Sequence, residues 1–129
     1  MQTLPILWQR LVDADGATCP RCQDTFEALG GSVQRLREAL RPLGIEPRLE
    51  IRTLDPASFD ADPSQSNRIW IAGQPLEHWL NASAGSSPCC AQCGPAECRT
   101  LEIGDERFES IPEELLIKAG LRAAAELVG

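Results

Sequence analysis

The chain has 129 residues, of which 43% are hydrophobic and 24% are charged, and its formal net charge at pH 7 is −7. This length and composition predict one soluble globular domain over residues 1–129, built around a single hydrophobic core. The acidic balance argues against nucleic acid and anionic membranes as partners, because both carry negative charge that an acidic surface repels.

The first half of the chain predicts a strand, a helix and a second strand. Residues 4–12 form a short apolar run typical of a buried strand, and residues 13–18 are rich in turn formers. A helix ending near residue 40 or 41 follows, because Pro42 disfavours its continuation. Residues 48–54 alternate polar and apolar side chains, which predicts a strand. The apolar face of the helix comprises Phe26, Leu29, Val33, Leu36, Leu40 and Leu43.

The second half predicts shorter elements. Residues 55–67 are interpreted as a loop with at most a helical turn, and residues 68–72 as a strand. Residues 76–80 fit either a strand or a short helix, whereas the small side chains of residues 81–88 predict the start of a flexible, cysteine-rich loop over residues 81–98. A hairpin turning at Gly104 follows. A helix with a capping box from Ser110 to Glu113 is expected to run to about Leu127.

This order predicts an α/β protein of thioredoxin-like fold. A strand–helix–strand unit places its two strands in parallel. The central mixed sheet would be flanked by helices, with the cysteine-rich loop inserted before a C-terminal hairpin and helix.

Six cysteines form two groups, Cys19 with Cys22, and Cys89, Cys90, Cys93 and Cys98. No signal peptide and no bilayer-spanning apolar run are recognisable, so a cytoplasmic location is expected. In a reducing cytosol, cysteines in such groups are expected to be catalytic, redox-sensing or bound to a metal.

The first group has the spacing of a dithiol at a helix N-terminus. There the free N–H groups and the helix dipole stabilise a thiolate, and Pro20 suits the first turn because it lacks an N–H. We therefore predict Cys19 as the nucleophile, Arg21 as a stabilising charge and Cys22 as the resolving thiol. The alternative is that both cysteines belong to a zinc knuckle.

The motif Cys-Pro-x-Cys resembles the dithiol of glutaredoxins. Thr18 stands where thioredoxin-type motifs usually carry an aromatic residue, and Ser66 and Asn67 precede the predicted third strand where those proteins have a proline. Glutathione-contacting motifs are absent from the sequence.

The distal group has several interpretations. Cys90, Cys93 and Cys98 could hold zinc, and the addition of Cys89 would give a four-thiolate site for zinc or an iron–sulfur cluster. The same thiols could act as a redox relay to the first pair, or bind thiophilic ions such as arsenite or mercury. A zinc ion shared by both groups is a third possibility.

The segments 66–80 and 87–121, together with the N-terminal Cys-Pro-Arg-Cys, resemble an uncharacterised bacterial family of thioredoxin-like proteins. The resemblance implies a thioredoxin-like fold and no particular reaction. The leading hypothesis is a thiol–disulfide oxidoreductase or redox sensor that needs no cofactor and acts on a protein or small-molecule thiol or disulfide. The alternative is a non-enzymatic metal-binding protein. The sequence leaves the oligomeric state open.

Overall fold

A four-stranded mixed sheet is the centre of the structure, a computed structural model that describes residues 2–11, 20–62, 65–88 and 97–129. Strand β1 (Gln2–Leu11) is followed by helix α1 (Pro20–Leu40), a 3₁₀ turn (Arg41–Leu43) and strand β2 (Ile45–Leu54). β1 and β2 are parallel over their full lengths. The predicted strand–helix–strand unit is therefore confirmed, although β2 begins three residues earlier than expected.

The remaining elements complete this sheet and build a second, smaller one. They are listed here in chain order: α2 (Pro56–Ala61), β3 (Arg68–Ile71), β4 (Gln74–Pro75), α3 (Leu76–Leu80), β5 (Ser83–Pro88), β6 (Glu97–Ile103), β7 (Glu106–Phe108) and α4 (Glu113–Leu127). The first sheet has the order β2-β1-β3-β4, with β3 antiparallel to β1, and the second has the order β5-β6-β7. A mixed sheet flanked by helices is thus confirmed, and the arrangement is compatible with a thioredoxin-like fold.

One hydrophobic core joins the first sheet to the helices. In β1 the alternate residues Leu4, Ile6 and Trp8 are buried, whereas Pro5 between them is exposed. Such alternation is typical of a strand with one face packed against a core. From α1 the core receives Leu29, Val33, Leu36 and Leu40, which share one helical face.

The ends of the predicted helical face differ from the expectation. Phe26 is 37% exposed and Leu43 is 52% exposed, whereas Thr25 is fully buried. The buried face of the helix therefore begins at Thr25, one residue before Phe26.

The close approach of α1 and α4 explains why glycines occur within these two helices. A methyl group on Gly120 would lie 2.6 Å from Leu36 Cδ1, so only glycine lets α4 pack this near to α1. On the same interface Gly31 faces the carboxylate of Glu113, which also forms an ion pair with Arg35.

Two local predictions are wrong. Residues 83–88 form β5, paired with β6, and not the first part of a flexible loop. Serine and glycine have low strand propensity, but pairing with a neighbouring strand overrides propensity. Helix α4 begins after Pro112, which has no capping side chain, so Ser110 is not its N-cap as the predicted capping box required.

Candidate functional site

The predicted dithiol lies at the start of α1. Cys19 is outside the described residues, and α1 begins at Pro20, so the backbone of Arg21 and Cys22 belongs to its first turn. β1, which precedes it in the chain, ends at Leu11. The helix therefore begins where the sequence predicts, immediately after the first cysteine of the motif.

A buried polar network lies one helical turn from this motif. Thr25, three residues after Cys22, accepts hydrogen bonds at 3.2 Å from Asn67 Nδ2 and from the backbone N–H of Ile111. Asn67 in turn accepts a hydrogen bond at 2.9 Å from Nε1 of Trp8. All four residues are buried. The network therefore fixes the N-terminal half of α1 against β1, the segment before β3 and the segment before α4.

Asn67 occupies the position directly before β3, in place of the proline expected there in a thioredoxin-type protein. Its φ of 59° is left-handed, a conformation that asparagine adopts more readily than most residues. Gln65, two residues earlier, accepts a hydrogen bond at 2.8 Å on its backbone oxygen from the buried Gln9 side chain. No cis peptide bond occurs within the described ranges. The segment before β3 is therefore fixed by side-chain hydrogen bonds to β1.

Arg10 extends this environment along β1. Its guanidinium lies 5.6 Å from the centre of the Trp8 ring, and the Phe26 ring also stacks on Trp8 at a centroid distance of 5.7 Å. Among the described residues, the buried Nε of Arg10 has no hydrogen-bond partner. A cation over an indole is stabilised by the ring quadrupole. Arg10 thus places a positive charge near the end of β1, on the side of the strand that carries Trp8.

Three distal cysteines belong to the connection between β5 and β6, and the fourth is the second residue of β6. Pro88 and Glu97 are opposite each other in the ladder, as are Ser87 and Cys98. Cys89, Cys90 and Cys93 lie outside the described residues; Cys98 belongs to β6 and its backbone alone is described. The eight residues 89–96 therefore connect two directly paired positions. Within the described ranges, no group of three or more His, Cys, Asp or Glu side chains could hold a metal ion.

The start of β6 and the polar network share one small cavity. Asn67, Arg99, Thr100 and Ile111 are among the residues that line a cavity of about 10 Å³, near the lower limit for holding one water. Beside it, Arg99 Nη2 lies 3.1 Å from Glu77 Oε2, and the two side chains are only 12% and 16% exposed. Asn67 thus borders the cavity and also bonds to Thr25 of α1. The two cysteine-bearing segments therefore both adjoin the same buried cluster.

Sequence reasoning missed the residues of this cluster. The apolar spacing selects Phe26 and not its neighbour Thr25, and Asn67 falls in the predicted loop over residues 55–67. Trp8 belongs to the apolar run that predicts a buried strand, and its burial agrees with that prediction, but the run gives no sign of its hydrogen bond to Asn67. One sequence feature could have pointed to a structural role for Asn67: it is a polar residue directly before a short apolar strand.

None of the helices within the described ranges is long and apolar enough to cross a membrane.

Comparison with known proteins gives a family and no activity. A family model described as a domain of unknown function, DUF2703, matches residues 4–120. An uncharacterized protein of the archaeon Archaeoglobus fulgidus is 44% identical over 113 residues, which cover 88% of this chain and 82% of the relative. No solved structure matches the chain. The resemblance to a family without an assigned activity is thereby confirmed: the chain belongs to the family defined by the domain of unknown function DUF2703.

Proposed function

We propose that the protein is a thiol–disulfide oxidoreductase or redox sensor that uses Cys19 and Cys22. The observation that carries the proposal is the start of α1 at Pro20, directly after Cys19. At a helix N-terminus the unpaired N–H groups favour an anion, which lowers the pKa of a thiol. Arg10, near the C-terminal end of β1, and Arg21, in the first turn of α1, would add positive charge.

The chemistry requires two exchange steps. The thiolate of Cys19 attacks a substrate disulfide, forms a mixed disulfide and releases one substrate thiolate. Cys22 then attacks the Cys19 sulfur of the mixed disulfide and releases the second substrate thiol. The protein is left with a Cys19–Cys22 disulfide, and a protein or small-molecule thiol must reduce it before the next cycle. No cofactor takes part in either step.

The distal cysteines would act as a relay to the first pair. Support comes from the position of the two segments, because the residues next to Cys98 and those one turn after Cys22 adjoin the cluster around Asn67. A mixed disulfide between the two groups would be the intermediate of this exchange: a distal disulfide would be reduced as it oxidises the Cys19–Cys22 dithiol, or two distal thiols would be oxidised as they reduce the Cys19–Cys22 disulfide.

The test is a protein-disulfide reduction assay on the wild type and on Cys19→Ser, Cys22→Ser and Cys98→Ser. Loss of activity in Cys19→Ser, with a trapped mixed disulfide in Cys22→Ser, supports the roles assigned. Unchanged activity in Cys19→Ser contradicts them. Mapping of disulfides by differential alkylation tests the relay, which predicts a bond between the two groups.

A second candidate function is metal binding by Cys90, Cys93 and Cys98, with or without Cys89. It is favoured by the pairing of Pro88 with Glu97, which brings the two ends of the thiol-bearing segment together. Thiolates in such a segment suit zinc, an iron–sulfur cluster or a thiophilic ion such as arsenite or mercury. Native mass spectrometry of protein purified without air would show the added mass, and visible absorbance would distinguish a cluster from zinc.

A further inference from the structure

Among the described residues, β2 is an edge strand whose outer backbone groups pair with no other strand. The backbone N–H of Gln2 donates to the carbonyl of Gly44 at 2.9 Å, and Gln2 is opposite Ile45. In a parallel ladder this pattern directs the backbone N–H and C=O groups of the even-numbered residues of β2 toward β1. The backbone groups of the odd-numbered residues therefore point away from the sheet. Pro47 is one of these, as expected for a residue that has no N–H to donate.

The charges on this edge alternate in sign. Glu46, Arg48, Glu50 and Arg52 are all exposed and lie on the same face of β2. Edge strands often carry charges of one sign, which keep a second strand away. An alternating row instead attracts a copy of itself that runs in the opposite direction, because each positive charge then faces a negative one.

We propose that β2 pairs with β2 of a second copy of this chain, antiparallel and about a two-fold axis at Leu49, to form a homodimer with an eight-stranded sheet. With Leu49 opposite Leu49 of the second copy, Arg48 faces Glu50 and Glu46 faces Arg52. Each of these two contacts occurs twice because of the symmetry. Opposite charges at directly opposed positions stabilise a sheet, and like charges destabilise it.

The charges select this register among the neighbouring ones. Moving the axis to Arg48 or to Glu50 places residues of like charge opposite each other. Moving it to Ile51 keeps Glu50 against Arg52 but places Arg48 opposite the uncharged Leu54 and leaves Glu46 opposite a residue beyond the end of β2. The Leu49-centred register is the one that uses all four charges and pairs residues 45–53.

The other face of β2 has an apolar side chain that this pairing would cover. Ile51 is 44% exposed, and in the proposed register it faces Pro47 of the second copy. Pro47 donates no hydrogen bond, so each copy loses one ladder bond at that position. The interface of two edges is also small compared with that of an obligate dimer. We therefore expect a dimer that dissociates on dilution.

The inner contact between Arg48 and Glu50 is the better one to test, because the guanidinium of Arg52 lies 6.0 Å from the Trp70 ring on its own sheet. Sedimentation equilibrium would be measured in the presence of a reductant, which excludes disulfide-linked dimers. The variants are Arg48→Glu, Glu50→Arg and the double variant, and circular dichroism would verify that they fold. Lys118→Glu, an exposed change of equal charge on α4, is the matched control for Arg48→Glu.

We expect a monomer–dimer equilibrium for the wild type and for Lys118→Glu. Each single variant on β2 should raise the dissociation constant by about tenfold or more, since two attractive contacts become repulsive. The double variant should return to within about threefold of the wild type. A mass of 14.1 kDa for the wild type throughout the dilution series would overturn the dimer. Absence of rescue in the double variant would overturn the register.

A second measurement needs no variant. Hydrogen exchange of the Leu49, Ile51 and Thr53 amides should become slower as the wild-type protein is concentrated, because these N–H groups point outward in the monomer. Exchange rates independent of concentration at all three amides would contradict the pairing.

Discussion

The indole Nε1 of Trp8 donates to Oδ1 of Asn67 at 2.9 Å, and the two residues are 0% and 7% exposed. Trp8 belongs to the first strand of the sheet, and Asn67 immediately precedes the third. The hydrogen bond therefore connects segments far apart in sequence. Asn67 also donates to Thr25, which lies one helical turn after Cys22 of the proposed dithiol. Loss of the Asn67 side chain would leave a buried donor on Trp8 without its partner.

Asn67→Ala is expected to lower the free energy of unfolding by about 2–3 kcal/mol. The variant removes the acceptor for Trp8 and also places alanine in a left-handed backbone conformation. Asn67→Gly removes the same side chain without the backbone strain, so it should cost about 1–2 kcal/mol. Urea denaturation would measure both. Equal stability of the two variants would show that the φ of 59° carries no cost.

The two glycine positions Gly30 and Gly120 should respond to alanine in opposite ways. Nothing lies within 4 Å of a methyl group on Gly30, which is exposed in α1, so Gly30→Ala should stabilise by about 0.5–1 kcal/mol. On Gly120 the methyl group would lie 2.6 Å from Leu36 Cδ1, and overpacking there should destabilise by about 1–3 kcal/mol. Thermal denaturation of both variants tests this. A stabilised Gly120→Ala would mean that α1 and α4 separate easily.

The carboxylate of Asp55 should titrate below its ordinary pKa of 3.8. The backbone N–H of Ser58 donates to this carboxylate at 2.7 Å and holds its pKa down in the folded protein, because the bond favours the charged form. Asp55 therefore contributes stability above its ordinary pKa, and the contribution is lost as pH falls through the lower folded value. An NMR titration of Asp55 would measure the pKa directly. Asp55→Asn keeps a helix cap and should abolish this part of the pH dependence; an unchanged acid transition would contradict it.

The ion pair of Arg99 with Glu77 should matter more than that of Arg107 with Glu102. The first pair is at 3.1 Å with side chains 12% and 16% exposed, and the second is at 3.6 Å with side chains 54% and 29% exposed. Glu77→Ala should cost about 1.5–3 kcal/mol, since it removes a charge-assisted hydrogen bond from a pair largely shielded from solvent. Arg107→Ala should cost at most about 1 kcal/mol. Similar losses in the two variants, measured by urea denaturation, would contradict the difference in burial.

Much of the fold could be predicted because periodicity reports burial. The helical spacing of Leu29, Val33, Leu36 and Leu40 and the alternation in the second strand led to the correct strand–helix–strand unit. β5 could not be predicted, because its residues are poor strand formers and acquire strand geometry only by pairing with β6.

The candidate site was predictable only in part. The start of α1 followed from Pro20 and the cysteine spacing, which are local signals. Thr25, Asn67 and Arg99 come from three separate elements, and their convergence depends on tertiary packing that no local pattern encodes. Their burial and hydrogen bonds could be recognised only from the folded chain.

The convergence of the two cysteine-bearing segments has a consequence for the denatured state. A disulfide within either group closes a short loop, whereas one between the groups would join positions about seventy residues apart and restrict the unfolded chain far more. On the chain-entropy scale the short crosslink is worth about 2 kcal/mol and the long one about 4 kcal/mol. The rise in melting temperature on oxidation would thus reveal which thiols have joined.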